Sequence, residues 1–149
     1  MFRILVPFVP RLHTRRMTAQ DPPPSAAEFE AIARETIKRM PDELREKLSN
    51  VVLEVPEFAT PEQLASFDMN DPYELTGLYD GTPLTEQSVW ETTRMPPVIS
   101  LFRQPLLREM EETGVGLVEL VRHVVIHEAG HHFGFSDEDM HALEHMVGE

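Results

Sequence analysis

The chain contains no cysteine. That excludes a disulfide framework and any zinc site built on thiolates, and it fits a reducing compartment. Basic residues are scarce: 13 Lys and Arg stand against 26 Asp and Glu, for a net charge of −13. Non-specific nucleic-acid binding depends on basic surface, so this balance argues against a nucleic-acid partner. No apolar run approaches the ~20 residues that a membrane-crossing helix requires, so no membrane role is expected. Glycine is sparse as well, with 7 residues against 13 prolines, a pattern of short elements with defined stops. What these absences leave is most simply one cytoplasmic domain. Its 149 residues are enough to bury a core without covalent staples.

The first 24 residues differ from the rest. Met1 to Arg16 carries Arg3, Arg11, Arg15 and Arg16 but no acid. Its apolar run from Phe2 to Val9 is short, is broken by Pro7 and followed by Pro10, and leads to no small-residue cleavage site, so it does not read as a signal peptide. Gln20-Asp21-Pro22-Pro23-Pro24 reads as an extended linker. Residues 1–24 are therefore expected to form an extension outside the domain. It is either a disordered or weakly docked tail, or residues ahead of a translation start at Met17. The domain itself is expected over 25–149.

From Ser25 onward the punctuation is regular. Ser25 with Glu28 makes a capping box, and Phe29, Ile32, Ala33, Ile37 and Met40 line one face of a helix ended by Pro41. Leu44 and Leu48 mark a second short helical piece, and Val51 to Val55 reads as a strand. Thr60 and Pro61 start a short helix over 62–67. Leu75 to Tyr79, then Asp80-Gly81, then Thr82 onward predicts a hairpin. Val98 to Arg103 reads as a further strand, and its bracketing by Pro96, Pro97 and Pro105 predicts a sheet edge. Pro105 to Glu112 should be helical. Ser136 and Asp139 can cap a final helix whose buried face is Met140, Leu143 and Val147.

The chemistry is concentrated between His127 and Asp137, which spell H-E-x-x-H-x-x-G-x-x-D. Leu117, Leu120, Val121, Val124 and Val125 stand at helical spacing ahead of it, with no proline between. On that helix His127 and His131, four apart, share a face and can offer one imidazole each to a metal ion. Glu128 lies about 100° further round, where its carboxylate can reach a metal-bound water without occupying the metal. A catalytic zinc needs a third protein ligand and an open position. Gly134 can take a left-handed conformation, end the helix and bring Asp137 towards the ion. Asp137 also has a purely local reading, as an acid in the first turn of the next helix. Glu144 is the competing third ligand, though thirteen residues after His131 is a tight connection.

The remaining polar residues read as less informative. His123, four before His127, and the pair His141 and His145 look like histidines of polar faces, with no third partner spaced to complete a site. Tyr79 and His132 could assist catalysis, but structural roles are expected for both. Glu109, Glu111 and Glu112 read as a solvated face.

This motif, with Thr76 to Thr85, Val98 to Pro105, Met40 to Arg45 and Ser136 to Met140, resembles the small bacterial zincin-like metallopeptidase family over roughly residues 26–144. The resemblance implies an α+β minimal zincin-like fold, a small mixed sheet packed against the motif helix with flanking helices. It also implies one Zn2+ per chain, held by residues that map to His127, His131 and Asp137, with Glu128 as base. Two imidazoles and a carboxylate would equally take manganese, cobalt or nickel. The expected function is zinc-dependent hydrolysis of a peptide or protein, with Val98 to Arg103 as the edge on which an extended substrate could pair. Two other classes are distinguishable. The motif also resembles that of rRNA-maturation endoribonucleases, a reading opposed by Glu128 and by the acidic charge. A metal-binding interaction protein without turnover is the third.

Overall fold

The computed structural model describes residues 2–3, 22–86 and 95–148. Within them the fold is α+β. Ser25 accepts from the Glu28 amide and the Glu28 side chain reaches back, so the expected capping box starts α1 (Ala26–Lys38). A short α2 (Asp42–Lys47) and strand β2 (Val52–Glu54) follow. Thr60, paired with Gln63 in a second capping box, starts α3 (Pro61–Ala65). Strands β3 (Gly77–Asp80) and β4 (Val98–Leu101) precede α4 (Arg103–Thr113), α5 (Leu117–Phe133) and α6 (Asp137–Gly148). A two-residue strand β1 (Phe2–Arg3) pairs with β3. The expectations for residues 4–21 lie outside the described residues.

The sheet order is β1-β3-β4-β2. Strand β4 runs antiparallel to β3, with Tyr79 opposite Ile99, and parallel to β2, with Leu53 opposite Ile99. Two expectations are thereby corrected. The strand at Val98 is interior, not an edge, because Pro96, Pro97 and Pro105 all fall outside the paired span Val98–Leu101 and remove none of its ladder donors. Nor does Asp80-Gly81 close a hairpin with the residues that follow. Leu84–Glu86 is a single 3-10 turn, and β3 finds its antiparallel partner eighteen residues on, from Val98 (98 − 80).

Strand alternation divides the core. Tyr79, Ile99 and Leu101 face the main cluster, built around α5 with Phe29 and Ala33 of α1, Leu106 and Met110 of α4, and Leu143 and Val147 of α6. Leu78 faces the opposite cluster, with Ala59, Leu64, Met69, Leu75 and Phe102. Helix α5 packs directly on β3. The absence of a side chain at Gly77 permits this, since a Cβ there would lie 2.6 Å from Val124 Cγ1. Its end is equally defined. Gly134 is left-handed at φ 76°, and the Phe135 amide donates to the Gly130 carbonyl at 2.9 Å in a Schellman pattern. The chain then folds straight back as α6, whose Met140 packs so closely on Gly130 that a Cβ there would meet Met140 atoms at 2.7–3.1 Å. Arg103 joins the start of the domain to α4, donating to the Pro24 carbonyl at 2.8 Å and to the Glu57 carboxylate at 3.0 and 3.1 Å.

Gly77→Ala forces a methyl group to within 2.6 Å of Cγ1 of the buried, β-branched Val124. Overpacking of this kind costs about 1–3 kcal/mol. A fall in Tm of several degrees by calorimetry is the expected result, whereas an unchanged Tm would show that α5 is free to move off the sheet.

Candidate metal centre

Helix α5 is buried on nearly every side, from Leu120 through Phe133. A helix in that position removes its polar side chains from water, so each requires a partner on another element. His132 has such partners. Its Nε2 lies 3.1 Å from the Lys47 carbonyl and so carries the proton, while Nδ1 accepts from the Tyr79 hydroxyl at 2.6 Å. The Tyr79 hydroxyl also lies 3.1 Å from the Thr82 carbonyl. Burial keeps the His132 imidazole below its ordinary pKa, with the Lys47 contact a partial offset. Both residues hold α5 against the sheet and α2, the structural role expected of them.

Glu128 is different. It is 0 % exposed, its Oε1 would lie 3.6 Å from a Cβ built on Gly77, and neither carboxylate oxygen has a hydrogen-bond partner. Burial pushes its carboxyl well above the usual range, with the Tyr79 backbone acting the other way as the smaller influence. A buried carboxyl without a partner is a standing cost to the fold.

His127 and His131 lie one turn apart on α5 as the spacing requires, His127 buried and His131 half-buried. Burial, and then the neighbouring His123 ring, lowers His127 to about 4, so it is a neutral imidazole at physiological pH. His131 is lowered chiefly by burial, and Asp137 is near enough to raise it in part. Asp137 is exposed in the first turn of α6, where Ser136 and Asp139 form the expected capping box at 2.9–3.3 Å.

Among the described residues, the donors that stand together are a different set. His123, His127 and Glu144 bring one ligand atom each to within 4.8 Å of one another. His123 is buried, contrary to the polar face expected for it, and its Nδ1 lies 2.8 Å from Glu144 Oε1. Burial acts to raise the Glu144 carboxyl, but the His123 hydrogen bond and the surrounding imidazoles outweigh it and hold it below the ordinary range. An ionised carboxylate only accepts, so the imidazole donates. Glu144 thus reaches His127, but with His123 and not His131 beside it. The i, i+4 spacing of His123 and His127 is legible in the sequence. Glu144 is legible as a competing ligand for the motif pair, but nothing local signals that it meets His123, a pairing set by how α6 packs on α5. Glu109 of α4 is likewise not a fully solvated acid: it is half-buried, its carboxyl raised by burial and partly offset by His123.

The sequence model of the zincin-like metallopeptidase family matches residues 48–147. The chain belongs to this family. No curated protein matches the chain as a relative. Membership of the zincin-like family implies a zinc ion, and the residues fit one. Neutral imidazoles and carboxylates are the donor types zinc accepts in the absence of thiolate. Glu128, whose two oxygens are buried without a partner, stands beside the first histidine of the motif. Among the described residues, no helix of this zincin-like chain is long and apolar enough to cross a membrane.

The raised pKa of Glu128 has a consequence for stability. A carboxyl whose folded pKa lies above its unfolded one contributes stability that is full at low pH and is lost as pH rises through the folded value. Glu128→Gln removes that loss. For the metal-free protein, Tm of the variant should exceed wild type at pH 8, and the gap should narrow towards pH 5. A pH-independent gap in parallel melting series would exclude Glu128 as the titrating group.

Proposed function

We propose that this protein is a zinc-dependent peptidase in which His127, His131 and Asp137 hold the ion and Glu128 is the general base. The observation that carries the reading is Glu128, a fully buried carboxyl next to the first motif histidine with both oxygens unpartnered. When bound, zinc supplies Lewis acidity, bringing the pKa of a water towards neutrality and polarising a carbonyl. Glu128 accepts a proton on its carboxylate and returns it to the leaving amine. Burial raises the pKa of this carboxyl, which strengthens it as an acceptor of the proton. His127 and His131, both lowered in pKa, offer lone pairs and not charge. Asp137 stands close to His131 at the start of α6, brought there by the left-handed turn at Gly134.

A peptide is the substrate class that the family supports. An acidic chain of net charge −13 opposes the ribonuclease alternative. Pairing of a substrate along Val98–Leu101 is excluded, because β3 and β2 already occupy both sides of that strand.

Zinc content and peptide-library cleavage, measured on the same preparations, test the proposal. Wild type should hold zinc and cleave. Glu128→Gln should keep the metal and lose about 100-fold or more in kcat. His131→Ala should lose the activity. Retained turnover in Glu128→Gln would overturn the assignment of the base. Zinc in wild type with no cleavage across the library would leave a metal-binding protein without turnover.

A further inference from the structure

Four observations single out a position one helical turn before the motif. His123 and His127 are i, i+4 on α5 with ring centroids 4.5 Å apart, and both are buried. Glu144, from a different helix, pairs with His123 at 2.8 Å. One donor atom from each of the three lies within 4.8 Å of the other two. The Glu144 side chain is 28 % exposed, which leaves the group an approach from solvent.

From these we infer that His123, His127 and Glu144 form a divalent-metal site distinct from the His127–His131 pair of the motif, one that staples α5 to α6. Zinc bonds of about 2.0–2.1 Å set tetrahedral donors roughly 3.3–3.5 Å apart. The three donors therefore need only close by an ångström or so, and the His123–Glu144 hydrogen bond opens to admit the ion. Two imidazoles with one carboxylate suit zinc and cobalt. The backbone contribution is already in place. Met140 packed on Gly130 seats α6 against α5, and Glu144 stands one turn beyond Met140 over the two histidines. Glu109 of α4 is close enough to His123 for its charge to be felt, a further acid facing the group.

The site differs from the motif in kind. The residue after His123 is Val124, where the residue after His127 is Glu128, so no general base accompanies the first histidine. Its expected effect is structural: binding only the folded form, an ion here raises stability by mass action. It also competes for His127. A metal at this position draws on a residue the peptidase reading needs, and that consequence alone rests on that reading.

Cobalt(II) titration followed by visible absorbance, on full-length metal-free protein, separates the two positions. His131→Ala breaks the motif pair and leaves His123, His127 and Glu144 intact. It should still bind one equivalent of Co(II) with tetrahedral bands, and its Tm should rise on binding. Adding Glu144→Gln, or in a separate variant His123→Gln, should abolish both signals while far-UV circular dichroism shows the fold retained. Absence of binding in His131→Ala overturns the inference, as does binding that survives Glu144→Gln. The His123→Gln single variant keeps the motif residues. Its metal content decides the motif reading separately, so either proposal can fail while the other stands.

Discussion

Helix α5 is enclosed by the sheet on one side and by α1, α4 and α6 on the others, and the rest of the molecule follows from that enclosure. A buried helix of mixed composition cannot leave its polar groups to water. The chain meets this demand unevenly. His132 is tied to Tyr79 and to the Lys47 carbonyl, and His123 to Glu144. Glu128 receives nothing comparable. The same enclosure that makes the first two into tethers makes the third an unstable carboxyl with strongly weakened acidity. Where a fold tolerates such an unsatisfied group, function is the usual reason, since local rules are broken mainly at sites that act.

Glycine positions set how close the elements around α5 can come. Gly77 lets β3 lie against Val124 and Glu128, and Gly130 lets Met140 bring α6 down on the opposite flank. Gly134 turns the chain by its left-handed conformation, and Thr85 packs so tightly there that any Cβ would sit 2.8 Å from its hydroxyl. These contacts place two carboxylates and three histidines in one neighbourhood. Asp137 lies near His131 at one end, and Glu144 lies beside His123 and His127 further along. His127 belongs to both groups. Its low pKa, about 4, is the electrostatic mark of a ring crowded by burial and by other imidazoles.

The capping boxes at Ser25 and Thr60, the bracketing of Ser136 with Asp139 and the αL turn at Gly134 are all legible in the residues themselves. Each is a local hydrogen-bonding arrangement fixed by side-chain chemistry within a few residues. For the strands, residue type indicates the element but not its neighbours. Val98 to Leu101 is a strand, but the flanking prolines mark where pairing stops and not on how many sides it occurs. Asp80-Gly81 carries a hairpin signal, yet β3 pairs with β1 on one side and on the other with β4, which arrives from further along the chain. His123 departs from its expected polar face for a related reason. Its exposure depends on what covers α5, which periodicity in α5 does not record.

By itself the sequence determined the helices, most of their caps, and the presence on one helix of two histidines and a carboxylate at the spacing of a zincin-like centre, because these depend on contacts among near neighbours. Tertiary structure alone decided that β4 is central, that Glu128 is fully buried without a partner, and that Glu144 meets His123 and His127. Those depend on which faces of distant segments meet. That is governed by the packing of α5 against its surroundings as a whole, and no window along the chain contains it.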